Sequence, residues 1–409
     1  MRREFDVVVV GGGMVGAALG CLLAEAVDGL EVAVLEAREP PPFDPGGPVG
    51  NRVSAIARGS MRILSGCGVW NDIAARRVSP YREMRVWDAA SDPFGAGSLH
   101  FDSAELGEPD LGAIVENALI QWTLAERLRL LPQVSWIAPA RMTELELGDE
   151  SAVLELADGR RLRARLVVGA DGAASTSRSL AGIETNGWDY AQRAVVATVR
   201  CAEPHRDTAW QRFLPTGPLA FLPLADGRCS IVWSTTPEAA DSLLAQSPPE
   251  FLDALTEAAD GVMGEVTEAD SRAAFPLRLQ YARRYTQPRF ALIGDAAHAV
   301  HPLAGQGVNL GFLDAAALAE AVADAVADGR DPGDRRALRR YERWRKGENM
   351  AAMFLIDAIG RLFGNGNAAA GSLRRLGLAM VDAAPAVKHE FIRRAMGVAG
   401  DLPRLARAG

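Results

Sequence analysis

Short β-branched runs that stop at glycine punctuate the first half of the chain. Phe5 to Val10 is a nearly unbroken apolar run, the pattern of a parallel strand covered on both faces. It stops at Gly11-Gly12-Gly13, and the small, apolar residues that follow predict a helix reaching about Val27. Glu31 to Leu35 predicts a second strand, closed by Glu36. Pro40 to Gly50 is a Pro- and Gly-rich loop, followed by Asn51 to Ile56 and a helix reaching Leu64. Residues 81–102 predict two strands of a meander, and Glu116 to Leu130 a helix. Val153 to Leu156 and Arg161 to Leu166 flank Asp158-Gly159, a hairpin signal. The second run continues through Val168 and ends in Gly169-Ala170-Asp171-Gly172.

Antiparallel strands are predicted for Ala194 to Arg200, Leu219 to Leu224 and Ser230 to Ser234, one helix for 248–263, and an extended segment for 271–279. Phe290 to Ile293 then reads as a short buried strand, Gly294-Asp295 as a tight turn, and Gly305 to Gly311 as a glycine-rich approach to a helix continuing through Leu318. Beyond Asp314 the pattern is mostly helical. The fold class is therefore α/β, with a Rossmann-type dinucleotide-binding domain made of residues 1–80, 111–185 and 281–330. Into it is inserted a β-rich substrate domain of residues 81–110 and 186–280, and 331–409 form a helical C-terminus.

Three stations along this pattern carry chemistry. Gly11-Gly12-Gly13-Met14-Val15-Gly16 satisfies G-x-G-x-x-G between a strand and a helix. Gly11 turns the chain, Gly13 lets a pyrophosphate approach the backbone, and Gly16 lets helix and strand pack closely; Met14 and Val15 fill the open positions. Glu36, twenty residues after Gly16, is placed to accept hydrogen bonds from a ribose. The second station is the exposed carboxylate of Asp171 with Gly172, at the end of a buried strand. The third is Asp295 followed by a helix N-terminus, a place for hydroxyls and phosphates. Arg52 reads equally as a phosphate clamp and as a surface cation.

Length and charge narrow the class. At 409 residues two domains are expected, and 48% hydrophobic with 23% charged residues is the composition of a globular protein. Cys21, Cys67, Cys201 and Cys229 lack metal-type spacing and read as buried thiols of a reducing compartment. The opening residues run straight into a strand, which leaves no room for a signal peptide. The net charge of −8 argues against a nucleic-acid partner, yet residues 330–409 alone carry +8.

In this order and spacing the stations resemble the para-hydroxybenzoate-hydroxylase-like flavin monooxygenases. Within them the chain resembles the FAD-dependent ubiquinone-biosynthesis hydroxylases over nearly all its length. The stretches that carry the likeness are Val7 to Gly16, Arg52 to Ile56, Ile114 to Asn117, Gly169 to Gly172, Gly217 to Ala220, and above all Gly294-Asp295-Ala296-Ala297-His298 through His301 to Gly311. Met84 to Asp88, Trp188-Asp189-Tyr190, Glu203-Pro204-His205 and Asp401-Leu402-Pro403 lean toward the 2-polyprenylphenol hydroxylase branch, which acts at ring carbon five.

The resemblance implies tightly bound FAD, transient NAD(P)H and O2 as cosubstrate, with a C4a-hydroperoxyflavin oxygenating an electron-rich phenol ring in a dry pocket. It assigns Gly11, Gly13 and Gly16 to the FAD pyrophosphate and Glu36 to the adenosine ribose. Arg52 and Asn117, or Gln121 one helical turn on, would lie near the ribityl and phosphate groups. Asp171 would serve both FAD and NAD(P)H, Asp295 would hold the ribityl chain, and Pro302 would border the isoalloxazine. Gly305 and Gln306 lead into Gly307, Val308 and Asn309, whose backbone N–H groups would face the flavin carbonyl edge.

His298 and His301 lack the Cys or carboxylate company of a metal site, so no metal is expected and His298 and His301 orient the loop. No residue stands out as a catalytic base. The implied partner is a lipophilic polyprenylphenol, and the implied location is the cytoplasm, with peripheral contact to the inner membrane face and to other ubiquinone-biosynthesis proteins. Leu373, Leu376, Met380, Val381 and Ala384 share a helical stripe with Arg374, Arg375, Lys388, Arg393 and Arg394 around it, which suits a membrane-surface or docking helix and equally a packed terminal helix. Two rivals remain: the same fold acting on a non-quinone aromatic or an alkene, and a flavin-binding subunit with an assembly role.

Overall fold

A computed structural model describes residues 3–95, 97–300, 306–363 and 384–407. The first apolar run forms the strand Glu4–Val10 inside an eight-stranded sheet, with Val7, Val8 and Val9 wholly buried as a strand covered on both faces requires. Val32–Leu35 and Arg161–Gly169 flank it in parallel, and Val134–Ile137 and Phe290–Leu292 extend the sheet in parallel on either side. The expected hairpin around Asp158-Gly159 pairs Ala152–Leu156 with Arg161–Gly169. Helix Met14–Ala26 is buried from Gly16 to Ala24 and packs against helix Gln306–Ala327.

A nine-stranded sheet forms the second layer. It includes Thr185–Cys201, Thr208–Leu214, Gly217–Pro223, Cys229–Thr235 and Ala273–Ala282. The meander Glu83–Asp88 and Ser98–Asp102 joins this sheet because Glu83–Asp88 pairs in parallel with Thr208–Leu214. Val78–Tyr81 leaves it for a three-stranded sheet with Val53–Ala57 and Gly112–Glu116.

Several boundaries differ from the pattern-based expectation. Residues 248–263 are not one helix: Pro248–Ala258 stops where Asp260 and Gly261 take left-handed backbone angles. A preceding helix, Pro237–Ala245, starts at Thr236, whose hydroxyl accepts the Ala239 N–H. The strand expected at Ala194 to Arg200 runs from Thr185 to Cys201, passing a bulge at Asp189–Gln192 that hides its periodicity. The last glycine-rich approach is already helical: Gly307 and Gly311 lie within Gln306–Ala327, which outlasts Leu318 by more than two turns.

Helix Arg335–Phe363 has 29 residues, roughly 44 Å at the α-helical rise. Its distal half lies on the nine-stranded sheet, where Ile356 and Ile359 pack with Val86, Leu99 and Phe213. Helix Pro385–Ala395 is packed rather than free along one side: Ile392 and Met396 are buried with Leu111, and the Lys388 ammonium is bound to Glu105 at 2.9 Å. Lys388 is therefore not part of a solvated basic face; Arg393 and Arg394 are exposed, and Leu373 to Val381 with Arg374 and Arg375 lie outside the described residues. Among the described residues no helix is long and apolar enough to cross a membrane. All four cysteines are unbridged, with Cys201 half-buried and the others buried.

Candidate active site

The parallel register brings the three stations to one edge. Val10 lies opposite Leu35 on one side and Gly169 on the other, and Gly169 lies opposite Leu292. Gly11, Glu36, Ala170-Asp171 and Gly294-Asp295 therefore emerge together at the carboxyl ends of adjacent strands, where open α/β sheets take their ligands.

Backbone sterics explain the first station. Gly11 adopts φ +108°, and a Cβ there would stand 2.5 Å from the Ala170 carbonyl oxygen; at Gly16 it would stand 2.0 Å from the Gly11 oxygen. Gly13 is the opposite case, with no heavy atom within 4 Å of where a Cβ would stand, its chain neighbours and its own helix aside. It also N-caps helix Met14–Ala26 without a side-chain hydrogen bond, and the first turn holds no acid. Free N–H groups and the positive helix end thus face open space, the arrangement that receives a pyrophosphate. Met14 and Val15 form the first turn, and Val15 packs beneath Gly294 and Gly311. The Glu36 carboxylate accepts the Gly12 N–H at 2.8 Å and the Arg38 N–H at 3.1 Å, so it braces the glycine loop from the end of the second strand.

The second station departs from expectation. Asp171 is half-buried, and its carboxylate is turned onto the following helix: it accepts the Ser175 hydroxyl at 2.5 Å, the Ser177 hydroxyl at 2.6 Å and the Ser177 N–H at 2.9 Å. What faces the edge is Gly172, at φ +82° with open space beside it. Arg178, buried, donates to the Ala173 carbonyl and to the Ala296 carbonyl, each at 2.9 Å, and so ties the second station to the third.

At the third station Asp295 alone among 293–298 keeps its side chain exposed. Although open to solvent it is closely surrounded by protein, and this desolvation pushes its carboxyl above the usual range, with His298 and Arg52 acting in the other direction.

The profile of the family described as FAD binding domain matches residues 4–353. The ubiquinone hydroxylase UbiL of Rhodospirillum rubrum is 40% identical over 405 residues, covering 98% of this chain and 92% of the relative. This chain belongs to the FAD-dependent ubiquinone hydroxylase family. The 3-demethoxyubiquinol 3-hydroxylase of Escherichia coli is 37% identical over 97% of this chain and 100% of the relative. In three dimensions the p-nitrophenol 4-monooxygenase PnpA of Pseudomonas putida superposes with a TM-score of 0.77 at 22% identity, over 97% of this chain and 99% of PnpA, which shows a shared fold. The protein is thus an FAD-dependent monooxygenase with the para-hydroxybenzoate-hydroxylase-like fold.

The residues at the edge of this hydroxylase fit FAD: the open space at Gly13, the uncapped helix and the exposed Asp295 supply a phosphate cradle and a hydroxyl acceptor. Arg52 is exposed, close enough to act on Asp295, and its guanidinium lies 5.5 Å from the Phe275 ring centroid. Beside it the Asn51 amide donates to the Ser271 carbonyl at 2.9 Å, so residues 51–52 are fastened to the start of a strand in the second sheet. Asn117 is occupied locally, accepting the Ser54 hydroxyl at 2.7 Å, while Gln121 stands half-buried one turn on. The Asn309 side chain is buried and turned away from solvent: it accepts the Ala57 N–H and the Ser60 hydroxyl and donates to the Ala55 carbonyl. Gly307 and Val308 lie half-buried in the first turn of their helix; His301, Pro302 and Gly305 lie outside the described residues.

Sequence reasoning missed what stands behind Asp295. His298, Asp314, Arg345 and Asn349 form a buried polar cluster, with Tyr285 and Tyr341 beside it. The signal available was the spacing of Tyr341, Arg345 and Asn349, which puts polar groups on the inward stripe of the long helix.

Asp295 itself yields a prediction. A carboxyl raised on folding costs stability above its folded pKa, and that cost is relieved as pH falls through it. Asp295→Asn is therefore expected to raise the apoprotein's thermal midpoint at pH 7, slightly because the group is exposed, and to lose this advantage below about pH 4, near the free carboxyl value. An equal midpoint for both proteins across pH 4–7 would contradict it.

Proposed function

We propose that the protein hydroxylates the aromatic ring of a polyprenylated phenol in ubiquinone biosynthesis, at ring carbon five, using O2 and NAD(P)H. The observation that carries the reading is the convergence of Gly11, Glu36, Gly172 and Asp295 at one sheet edge, facing a second sheet, in a chain whose relatives bear ubiquinone-hydroxylase names. Bound FAD supplies the activation of oxygen. The chain's own part is to hold and shield. Gly13 and the free N–H groups after it bind the pyrophosphate, Glu36 takes the adenosine ribose, and Asp295 takes a ribityl hydroxyl. Arg52, stacked on Phe275 of the second sheet, covers the edge and limits access of water. Asp171 acts indirectly, by holding the turn that presents Gly172 to FAD and NAD(P)H. The N-terminal turn of Gln306–Ala327 offers its N–H groups at Gly307 to Asn309 to the flavin carbonyl edge.

Ring position five is supported by Met84 to Asp88 and Trp188 to Tyr190, which lie in strands of the second sheet. A prenyl tail partitions into lipid, which supports peripheral membrane contact through the exposed Phe354, Leu355 and Arg393. The test is mass spectrometry of quinone intermediates in a strain lacking the protein. A prenylphenol unsubstituted at carbon five should accumulate and disappear on complementation; an unchanged quinone profile, or accumulation of an intermediate blocked at another ring carbon, would refute the assignment at the level it contradicts.

A further inference from the structure

The five-residue turn that carries Asp295 is gripped from behind by a single carboxylate. Asp314, wholly buried on helix Gln306–Ala327, uses Oδ2 for the turn: it accepts the Gly294 N–H at 3.1 Å and meets His298 Nε2 at 2.5 Å. Those two contacts hold the first and last residues of 294–298, with Asp295 projecting from the opposite side. Its other oxygen, Oδ1, accepts Arg345 Nε and the Asn349 amide, each at 2.9 Å, and the Asn349 carbonyl oxygen accepts from Arg345 in turn at 2.8 Å. Arg345 is 1% exposed and Asn349 not at all. Burial would raise the Asp314 carboxyl, but His298, Arg345 and Asn349 outweigh it and hold the group below the usual range, ionised at neutral pH.

Such a cluster has no direct contact to make with a ligand, since every member lies beneath the turn. Its members are too specific in geometry for filler, because an apolar core would satisfy neither the Gly294 N–H nor His298. Gly294 sits at φ +57°, a left-handed conformation that glycine adopts without a Cβ clash and that directs its N–H to Asp314. The turn's other side is fixed by Arg178 on the Ala296 carbonyl and by the Ala282 N–H on the Ala297 carbonyl at 2.7 Å. Among the described residues, the Asp295 side chain makes no hydrogen bond that holds the turn.

We infer that Asp314, held by Arg345 and Asn349 and capped by His298, is a positioning device that sets where the Asp295 carboxylate stands relative to FAD. The inference rests on the reading that Asp295 contacts the ribityl chain. Arg345 and Asn349 thereby make the long helix part of the cofactor site. The same helix reaches the second sheet through the Tyr190 hydroxyl, which donates to Asp357 at 2.9 Å, so one rod is seated on both layers.

The test compares Asn349→Ala, His298→Ala, His298→Gln and Asp295→Ala with the wild-type protein. Three quantities are read: FAD affinity of the apoprotein by quenching of flavin fluorescence, the apoprotein's thermal midpoint, and the visible spectrum of the bound flavin. Asn349→Ala and His298→Ala should each weaken FAD by roughly tenfold, the equivalent of about one hydrogen bond, and shift the flavin band. His298→Gln, which keeps an N–H for Asp314, should recover most of the affinity. If His298→Ala does not fold, Asn349→Ala carries the test, because it leaves the Arg345–Asp314 pair in place. The inference is overturned if Asp295→Ala weakens FAD while the alanine variants at 298 and 349 bind it as wild type does. It is equally overturned if their affinity loss only tracks a loss of apoprotein stability and the spectrum stays unchanged. Unchanged affinity in Asp295→Ala would instead remove the site reading itself, and this inference with it.

Discussion

Gly16→Ala is expected to abolish FAD binding and to lower the thermal midpoint of the apoprotein, whereas Gly13→Val abolishes FAD binding alone. The two glycines are three residues apart in one motif, and the difference is steric. A Cβ at Gly16 would lie 2.0 Å from the Gly11 carbonyl oxygen, a backbone atom that cannot rotate away. Helix and strand must separate, at a cost of about 3 kcal/mol or more, the upper range for overpacking. Gly13 has φ −65° and ψ 178°, extended backbone that any residue adopts, and nothing within 4 Å. Valine there should leave the apoprotein within about 1 kcal/mol of its original stability, because the smaller entropy of its unfolded chain is opposed by its poorer fit at the N-cap. Its methyl groups fill the space a pyrophosphate needs. Thermal unfolding of both apoproteins and FAD titration separate the cases. A Gly13→Val protein that holds FAD normally would show that the cradle is not where the cofactor lies.

Arg345→Met should be the most damaging single change in the long helix. Arg345 and Asp314 are both buried and paired at 2.9 Å, and removing the cation leaves the carboxylate in the core with only the Gly294 N–H, His298 and the Asn349 amide to offset its burial. Breaking such a pair typically costs about 3–5 kcal/mol, because the desolvation penalty of the remaining ion is no longer offset. The pH dependence gives the mechanism away. Asp314 has a folded pKa below its free value, so the stability it contributes is present above about pH 4 and lost as pH falls through the folded pKa. The gap between wild type and Arg345→Met should therefore be widest at neutral pH and narrow as pH falls, first as the variant's carboxylate takes a proton and last as the wild type's does. Chemical unfolding at several pH values reads this directly; a gap independent of pH would assign the loss to packing of the methionine instead.

The candidate site was legible in proportion to how local its physics is. The glycine motif could be read because a turn, a close approach and a helix start are decided within six residues, and Glu36 because a parallel strand of fixed length brings it back to the same edge. Asp295 was visible for the same reason. Asp171 was located but misjudged: its exposure looked plausible from a strand-end Asp-Gly, while Ser175 and Ser177, close behind it, draw the carboxylate inward. The spacing of Arg345 and Asn349 hinted at an inward stripe, but not at what they bind. Their partner is 31 and 35 residues away on another helix, and an inward-facing arginine on a basic helix looks like any solvated cation until its burial is known.

By itself the chain's pattern determined the α/β class, the dinucleotide-binding start and the three stations, since these are written in short-range periodicity and turn chemistry; the likeness to a known family rested separately on the identity of particular short stretches. Tertiary structure alone decided which groups those stations work with. Register between parallel strands made neighbours of Val10, Gly169 and Leu292. The packing of one long helix put a guanidinium and an amide behind the turn that presents Asp295. The reason is that hydrogen bonds between remote segments leave no periodic trace: their energy depends on burial and geometry that exist only once the layers have closed.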